Sequence, residues 1–261
     1  MTFLDAAAYE QFMGRWSRRL APLLVEFAEV RDGDRVLDVG SGTGSLALEL
    51  SAMRRVEVMG IDPSAAFVEH ARTRADHQRA RFEVGDAQAL PYEGAAFDTC
   101  LALLVINHVP DPRKAVSEMR RVTRGGGRVA AAVWDYGDGM TMLRAFWDAA
   151  VALDPAAEFR HEGRMPYCRG GELSALWTEC GLQEVEETAL VVPMEFASFG
   201  DFWTPFLRGQ GPAGSYVASL TLDRQTAMRE RLRKVLLPGE AAGPIRIDAR
   251  AWAVRGRAPR R

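Results

Sequence analysis

The stretch LDVGSGTG, residues 37–44, contains the end of a short β-branched run and the glycine-rich turn that follows it. Glycines at positions 40, 42 and 44 let the backbone turn tightly and approach a ligand with no Cβ in the way. Residues 46–52 then have the pattern of a helix, which Ser45 is placed to cap. A buried strand at Arg35–Val39, a glycine turn and a helix in this order deliver a ligand to the N-terminus of the helix.

Strand-like and helix-like segments alternate through the rest of the chain. Further strands are predicted at residues 57–61, 81–84, 99–103, 128–134, 184–192 and 245–254. Further helices are predicted at residues 65–75, 143–153, 172–180 and 222–236, and one begins at Asp111-Pro112 and is broken by Gly125-Gly126-Gly127. Strands separated by helices at this spacing indicate right-handed βαβ crossovers and an α/β fold with a parallel sheet.

The spacing of the glycines helps to distinguish between two classes of nucleotide-like ligand. A nicotinamide-binding turn has the pattern G-x-G-x-x-G and places a diphosphate on the helix end. This turn instead has G-x-G-x-G with an acidic residue, Asp38, two positions ahead. That pattern is typical of a sulfonium-bearing ligand, which has no phosphate. A glycine turn alone is weak support, because it also serves NAD, FAD and plain tight turns.

Two carboxylates follow the next two strands. Asp62 closes the second strand, where a carboxylate can accept both hydroxyls of a ribose. Capping of the next helix is the alternative, although Ser64 can provide that cap instead. Asp86, followed by Ala87, comes directly after the third strand and can accept from the exocyclic amine of adenine while the next backbone N–H reaches a ring nitrogen. An Asx-type turn is the alternative for Asp86.

Together these residues resemble the class I S-adenosylmethionine-dependent methyltransferases. The resemblance covers roughly residues 33–135. It implies an α/β, Rossmann-like fold with a seven-stranded, mostly parallel sheet, an antiparallel last strand and a small helical and aromatic cap. It also implies S-adenosyl-L-methionine as the cofactor. The residues that it assigns to the cofactor are Asp38, Gly40, Ser41, Gly42, Gly44, Asp62, Pro63, Asp86, Ala87 and Leu103.

Within that family the chain looks closest to the branch of ubiquinone/menaquinone-type C-methyltransferases and many small-molecule methyltransferases. Residues 97–111 resemble the family's fourth strand and the loop after it. Leu103 departs from the small polar residue often found there in quinone enzymes, which disfavours quinone methylation.

The expected organisation has a core with one lid and two cap insertions. The segments are an N-terminal helical lid at 1–32, a cofactor-binding core at 33–135 and 172–192, cap insertions at 136–171 and 193–240, and a final strand with a basic tail at 241–261. Related enzymes use aromatic and arginine side chains of such a lid to contact the methionine moiety. Tyr9, Arg15 and Trp16 are the candidates here, and packing of an amphipathic helix is an equal alternative.

The histidines offer one catalytic candidate. His108 follows the fourth strand at the rim where an acceptor would approach, and a histidine near neutral pKa can take the acceptor's proton. A structural hydrogen bond is an equal alternative. His161 and Glu162 could form an acid–base or metal pair, but adjacent loop residues are usually just solvated. The three cysteines show no metal-site spacing, and no metal is expected.

The composition and net charge of the chain indicate which classes of binding partner to expect. With 48% hydrophobic residues, 26% charged residues and a net charge of −2, nothing favours nucleic acid or an anionic membrane as a partner. The run Arg255, Arg257, Arg260 and Arg261 favours a solvated tail over a phosphate-binding patch. No stretch approaches the roughly 20 apolar residues of a membrane span, and the N-terminus has no signal-peptide pattern. The cysteines fit a reducing compartment, so a cytoplasmic protein is expected.

An aromatic cluster in the second cap insertion indicates the chemical class of the methyl acceptor. Its members are Phe196, Phe199, Phe202, Trp203 and Phe206. They suit the lining of an enclosed pocket, which predicts in-line methyl transfer to a small, largely apolar or aromatic molecule; fastening the cap to the sheet is the alternative. The rival functions are a non-catalytic S-adenosylmethionine-binding module and, disfavoured by the glycine spacing, a nicotinamide-dependent oxidoreductase.

Overall fold

The structure, a computed structural model, describes residues 6–75, 79–239 and 243–260. The strands are β1 Arg35–Val39, β2 Glu57–Asp62, β3 Ala80–Val84, β4 Phe97–Leu103, β5 Thr123–Trp134, β6 Gln183–Phe196 and β7 Ile245–Arg257. The helices are α1 Ala6–Tyr9, α2 Arg15–Phe27, α3 Ser45–Met53, α4 Ala65–Arg74, α5 Pro112–Val122, α6 Thr141–Leu153, α7 Glu172–Glu179, α8 Phe199–Trp203, α9 Gly211–Ala218 and α10 Leu222–Leu236.

The seven strands form one sheet in the order β3-β2-β1-β4-β5-β7-β6. β1 to β5 pair in parallel, and β7 runs antiparallel to both β5 and β6. This arrangement confirms the predicted Rossmann-like fold and its antiparallel last strand. The division into lid, core and cap segments stays a prediction. No helix in the described ranges is long and apolar enough to cross a membrane.

Both faces of the sheet are covered, because successive side chains of a strand point to opposite sides. Leu101 and Leu103 of β4 join the core beneath α2, α3 and α6. Their neighbours Cys100 and Ala102 join the core beneath α5 and α7. The interior is therefore divided by the sheet into two apolar layers.

The β6–β7 ribbon is longer than its neighbours. Trp134, the last residue of β5, pairs with Ala251, whereas β7 begins six residues earlier, at Ile245, which pairs with Phe196. The ribbon thus extends beyond the carboxyl end of β5. Residues 193–196, expected in a cap insertion, belong to this extension of the sheet.

Three local expectations differ from the structure. Gly44, at φ 88°, is the N-cap of α3 and Ser45 is its first residue, so the predicted Ser45 cap is wrong. Asp38 instead accepts a hydrogen bond from the Ala47 N–H in the first turn, at 3.1 Å. The three glycines at 125–127 lie inside β5 rather than before it, where the register with β4 shifts.

The third difference concerns the basic run. β7 continues to Arg257, so Arg255 and Arg257 belong to a strand and not to a tail. Arg255 pairs with Glu29 and Glu186, and Arg257 pairs with Glu184. Alternating charges along one strand thus find opposite charges on its neighbour. Arg261 lies outside the described residues.

The aromatic cluster extends the core layer beneath α2, α3 and α6 and packs against the N-terminal segment. Phe206 stacks on Phe146 of α6, with ring centroids 4.6 Å apart, and meets Phe12 edge-on at 5.2 Å. Phe202 packs against Phe196 at 5.1 Å and Phe206 at 5.5 Å. These rings are buried among one another, and they fasten the cap.

We predict that Phe206→Ala destabilises the chain by about 3–5 kcal/mol, because it removes a buried ring and leaves a cavity. The neighbouring Leu207 is 50% exposed, so Leu207→Ala should stay within about 0.5 kcal/mol of the parent. Denaturant unfolding followed by tryptophan fluorescence measures both. Equal unfolding midpoints for the two variants would contradict the assigned core.

Candidate active site

A cavity of about 530 Å³ opens at the carboxyl ends of the parallel strands. Its wall has a polar part, formed by the glycine turn after β1 and the residues that follow β2 and β3. The apolar part comes from the segment after β4, from the end of β5 and from the N-terminal segment. This is the position where open α/β sheets bind ligands.

The glycine turn forms part of the wall through Gly40 and Gly42. Gly40 has φ 71°, and a Cβ there would lie 2.4 Å from the side chain of Val105. The missing side chain therefore allows the loops after β1 and β4 to approach closely. Gly42, at φ 52°, has no heavy atom closer than 4.0 Å to a Cβ built on it, so it faces open space. Ser41 and Gly44 are not in the wall.

Asp38 lies beneath the turn rather than in the wall. It is 1% exposed, and burial raises the pKa of its carboxyl group to about 7. One carboxyl oxygen accepts from the Ala47 N–H, and the other has no partner among the described residues. The N-terminal turn of α3, where dinucleotide folds hold a diphosphate, is thus already occupied by the chain's own carboxyl group.

Asp62 lies in the wall with Pro63. Its two oxygens accept from the Gly42 N–H at 2.9 Å and the Ser64 N–H at 2.8 Å, while burial raises the pKa of the carboxyl group. A carboxylate has about four lone-pair positions, so acceptor capacity remains for ribose hydroxyls. Ser64 caps α4 by accepting from the Phe67 N–H, as the sequence suggested.

Asp86 also lies in the wall, beside Ala87. It accepts from the Gln88 N–H at 2.8 Å, which is the Asx-type turn that the sequence left open. Hydrogen bonds from the Gln88 backbone and side chain lower the pKa of Asp86. The carboxylate is therefore ionised and able to accept from a ligand amine while it keeps its turn.

Of the three residues predicted to contact the ligand from the N-terminal lid, the structure places one in the cavity wall and two outside it. Tyr9 is in the wall, 5.8 Å from the ring of Phe67, and burial raises its pKa. Arg15 instead pairs with Asp201 at 2.9 Å and stacks on Trp16 at 4.4 Å. Neither Arg15 nor Trp16 lines the cavity, and their geometry favours the packing alternative.

The apolar part of the wall contains residues that the sequence did not single out. They are Met13, Ala66, Phe67, Leu104, Val105, Val109, Pro110, Trp134 and Tyr136, which join the predicted Leu103. Met13 lies four residues after Tyr9, so helical spacing from Tyr9 was an available signal. The aromatic cluster does not line the cavity, which makes the predicted pocket lining wrong, because those rings are used to build the core of the cap.

His108 ends the turn Ile106–His108 after β4 and lies in the cavity wall. Desolvation lowers the pKa of the imidazole to about 4. The ring is therefore neutral at physiological pH.

His161 and Glu162 do not form the pair that adjacency suggested. His161 accepts from the Gly163 N–H and contacts Glu158 at 3.2 Å, whereas Glu162 accepts from the indole N–H of Trp147. Burial raises the pKa of Glu162 to about 7. Within the described ranges no group of three or more His, Cys, Asp or Glu side chains could hold a metal ion.

Residues 37–131 match the model of a family described as "Methyltransferase domain". Over these residues the chain is similar to the class I S-adenosylmethionine-dependent methyltransferases. This confirms the resemblance and the cofactor of the family, S-adenosyl-L-methionine; the quinone branch stays a prediction. The 27-O-demethylrifamycin SV methyltransferase of Amycolatopsis mediterranei is 38% identical over 130 residues, covering 48% of this chain and 46% of that protein. The chain thus matches about half the length of this relative.

Solved structures agree with the fold over nearly the whole chain. The YcgJ protein from Bacillus subtilis has a TM-score of 0.61 at 23% identity and covers 95% of this chain and 99% of its own. Phosphoethanolamine N-methyltransferase 2 of Haemonchus contortus, solved with phosphomonomethylethanolamine and S-adenosylhomocysteine, has a TM-score of 0.59 at 18% identity, covering 98% and 57%.

The cavity fits S-adenosylmethionine better than a dinucleotide. Gly42 leaves open space beside the Asp62 carboxylate, and Asp86 offers ionised oxygens to an amine. The carboxyl group of Asp38 on the first turn of α3 disfavours a diphosphate there. Asp62, Asp86 and the glycine turn are therefore the residues that would hold the nucleoside.

We predict that Asp62→Ala weakens binding of S-adenosylhomocysteine by about 1.5–3 kcal/mol, the usual worth of hydrogen bonds to a charged group. Isothermal titration calorimetry measures the change, with S-adenosylmethionine as competitor and NADH as a ligand that should give no binding.

The matched control is Asp111→Ala. Asp111 caps α5 by accepting from the Lys114 N–H at 3.0 Å, so its loss should cost about 1 kcal/mol of stability without changing affinity. Unchanged affinity in Asp62→Ala would remove Asp62 from the site.

Proposed function

We propose that this chain transfers the methyl group of S-adenosylmethionine to a small, largely apolar or aromatic acceptor. The observation that carries the proposal is the continuity of one cavity between the polar wall around Asp62 and Asp86 and the apolar wall between Leu103 and Tyr136. A nucleoside held in the first part leaves the second for another molecule. The Amycolatopsis relative, named for methylating 27-O-demethylrifamycin SV, supports a small acceptor.

The main contribution of the protein to methyl transfer is to align the two reactants. S-adenosylmethionine supplies a methyl group that its sulfonium already activates, so holding the nucleophile in line with the S–CH₃ bond is the main contribution, with an upper range of about 7–11 kcal/mol. The apolar wall gives a hydrophobic acceptor its orientation and excludes water. Met13 and Trp134 contribute to it from elements far apart in the chain.

His108 is the polar group best placed to receive a proton. With a pKa of about 4, the neutral imidazole is too weak a base to ionise a phenol or alcohol beforehand. It can accept a hydrogen bond from the acceptor, however. Once the new bond to the methyl group forms, the acceptor's proton becomes strongly acidic, and a weak base then suffices to take it.

We predict that His108→Ala lowers kcat by about 10²–10⁴ if the ring takes the proton. Because the pKa of His108 is lowered, its neutral form persists across the neutral range, and activity should fall only as pH drops towards about 4. His70→Ala, on α4 outside the cavity wall, is the control. A loss of less than tenfold, or an acidic limb at the ordinary histidine pKa near 6.5, would make His108 structural.

We also predict the class of acceptor. In a methyl-release assay with labelled S-adenosylmethionine, pooled small-metabolite fractions should accept the label faster than tRNA, rRNA, DNA or protein extracts run beside them. The apolar cavity motivates this, as does a net charge of −2, which offers no basic face to a polyanion.

The same assay separates the rival function. A non-catalytic module would bind S-adenosylmethionine by calorimetry and yet label nothing in any fraction. Faster labelling of nucleic acid or protein than of the metabolite pools would overturn the acceptor class while leaving methyl transfer intact.

A further inference from the structure

Glu10 begins a π-helical turn, Glu10–Gly14, that interrupts the helix between α1 and α2. Its carboxylate accepts a hydrogen bond from the Thr43 hydroxyl and forms ion pairs with Arg18 and, at 3.5 Å, with Arg74. The side chain is only 17% exposed, so water and salt screen these contacts less than those of a surface pair. An acidic side chain is thus held by three partners from three elements.

Thr43 connects this contact to the cofactor cavity. It stands between Gly42 and Gly44 in the glycine turn, and its carbonyl accepts from Arg74 at 3.2 Å. Tyr9 and Met13, which flank Glu10 along the N-terminal segment, both lie in the cavity wall. Glu10 therefore joins the segment that forms one side of the cavity to the turn that forms another.

Gly14 leaves the space that the carboxylate occupies. A Cβ on Gly14 would lie 2.6 Å from Cδ of Glu10 and 2.7 and 2.8 Å from its two carboxyl oxygens. The backbone of Gly14 is ordinary right-handed helix, at φ −57° and ψ −39°, so the conformation itself does not require glycine. A Cβ at this position would instead displace the Glu10 carboxylate from its present place.

We propose that Glu10 is a positioning residue that latches the N-terminal segment onto the glycine turn and thereby holds Tyr9 and Met13 against the bound cofactor. This rests on the proposed function, because it takes the cavity to be the site of S-adenosylmethionine. With the latch intact, the closed segment completes the wall. With the latch broken, only a fraction of molecules is closed, and the apparent Kd rises in inverse proportion to that fraction.

Two variants break the latch in different ways. Glu10→Ala removes the carboxylate. Gly14→Ala keeps it but displaces it, and alanine at a helical position favours the helix relative to glycine, so this variant should not lower thermal stability. Glu26→Ala is the control, because Glu26 lies on α2 and pairs with Arg54 away from the cavity.

Calorimetry with S-adenosylhomocysteine should show a Kd raised by about tenfold in Glu10→Ala and Gly14→Ala, as for a closed fraction of about one tenth, and unchanged in Glu26→Ala. Trypsin should cleave after Arg15, Arg18 or Arg19 faster in the first two variants than in the parent. Excess S-adenosylhomocysteine should slow that cleavage in the parent most.

The outcomes distinguish a positioning role of Glu10 from a general effect on the stability of the chain. A raised Kd in Gly14→Ala with an unchanged or higher melting temperature supports the latch, since a merely structural role would move both together. A parent-like Kd in Glu10→Ala, or an equal rise in Glu26→Ala, overturns it. Failure of the parent chain itself to bind S-adenosylhomocysteine would refute the proposed function instead, before any variant is compared.

Discussion

The hydrogen bond from the Gly42 N–H to Asp62, at 2.9 Å, joins the ends of β1 and β2, and the cavity depends on it. The turn is held from the same side by the Ile61 carbonyl, which accepts from the Gly40 and Ser41 N–H groups at 2.7 and 3.0 Å. These contacts leave the backbone of the turn open towards the ligand. They also keep a partly desolvated carboxylate where ribose hydroxyls can supply the hydrogen bonds that water no longer does.

Asp38 gives the same turn a second anchor, and it limits what the site can bind. A helix N-terminus attracts anions because its first N–H groups lack partners within the helix. Here the carboxyl group of Asp38 meets one of them, at Ala47. A chain that satisfies part of its own helix end in this way has less to offer a diphosphate.

The polar part of the cavity was predictable from the sequence because each of its residues is local to a strand end. Asp62 and Asp86 each follow a readable strand, and the sheet brings those ends together. The apolar part was not predictable in that way. Met13, Val105, Trp134 and Tyr136 come from three separate segments, and nothing in their local spacing distinguishes a wall residue from a core residue. The density of aromatic residues in the cap was a misleading signal, because short helices need buried rings of their own to pack.

The two parts of the cavity therefore differ in how they are held. The cofactor side is fixed by backbone hydrogen bonds within and between adjacent strands, which change little unless the sheet does. The apolar side is assembled from side chains on the N-terminal segment and after the ends of β4 and β5, and Phe12 of the N-terminal segment packs against Phe206. Substitutions in that packing can change the apolar wall while the hydrogen bonds of the glycine turn stay in place. The two sides of the cavity can in this way change independently, and the Glu10–Thr43 hydrogen bond lies where they meet.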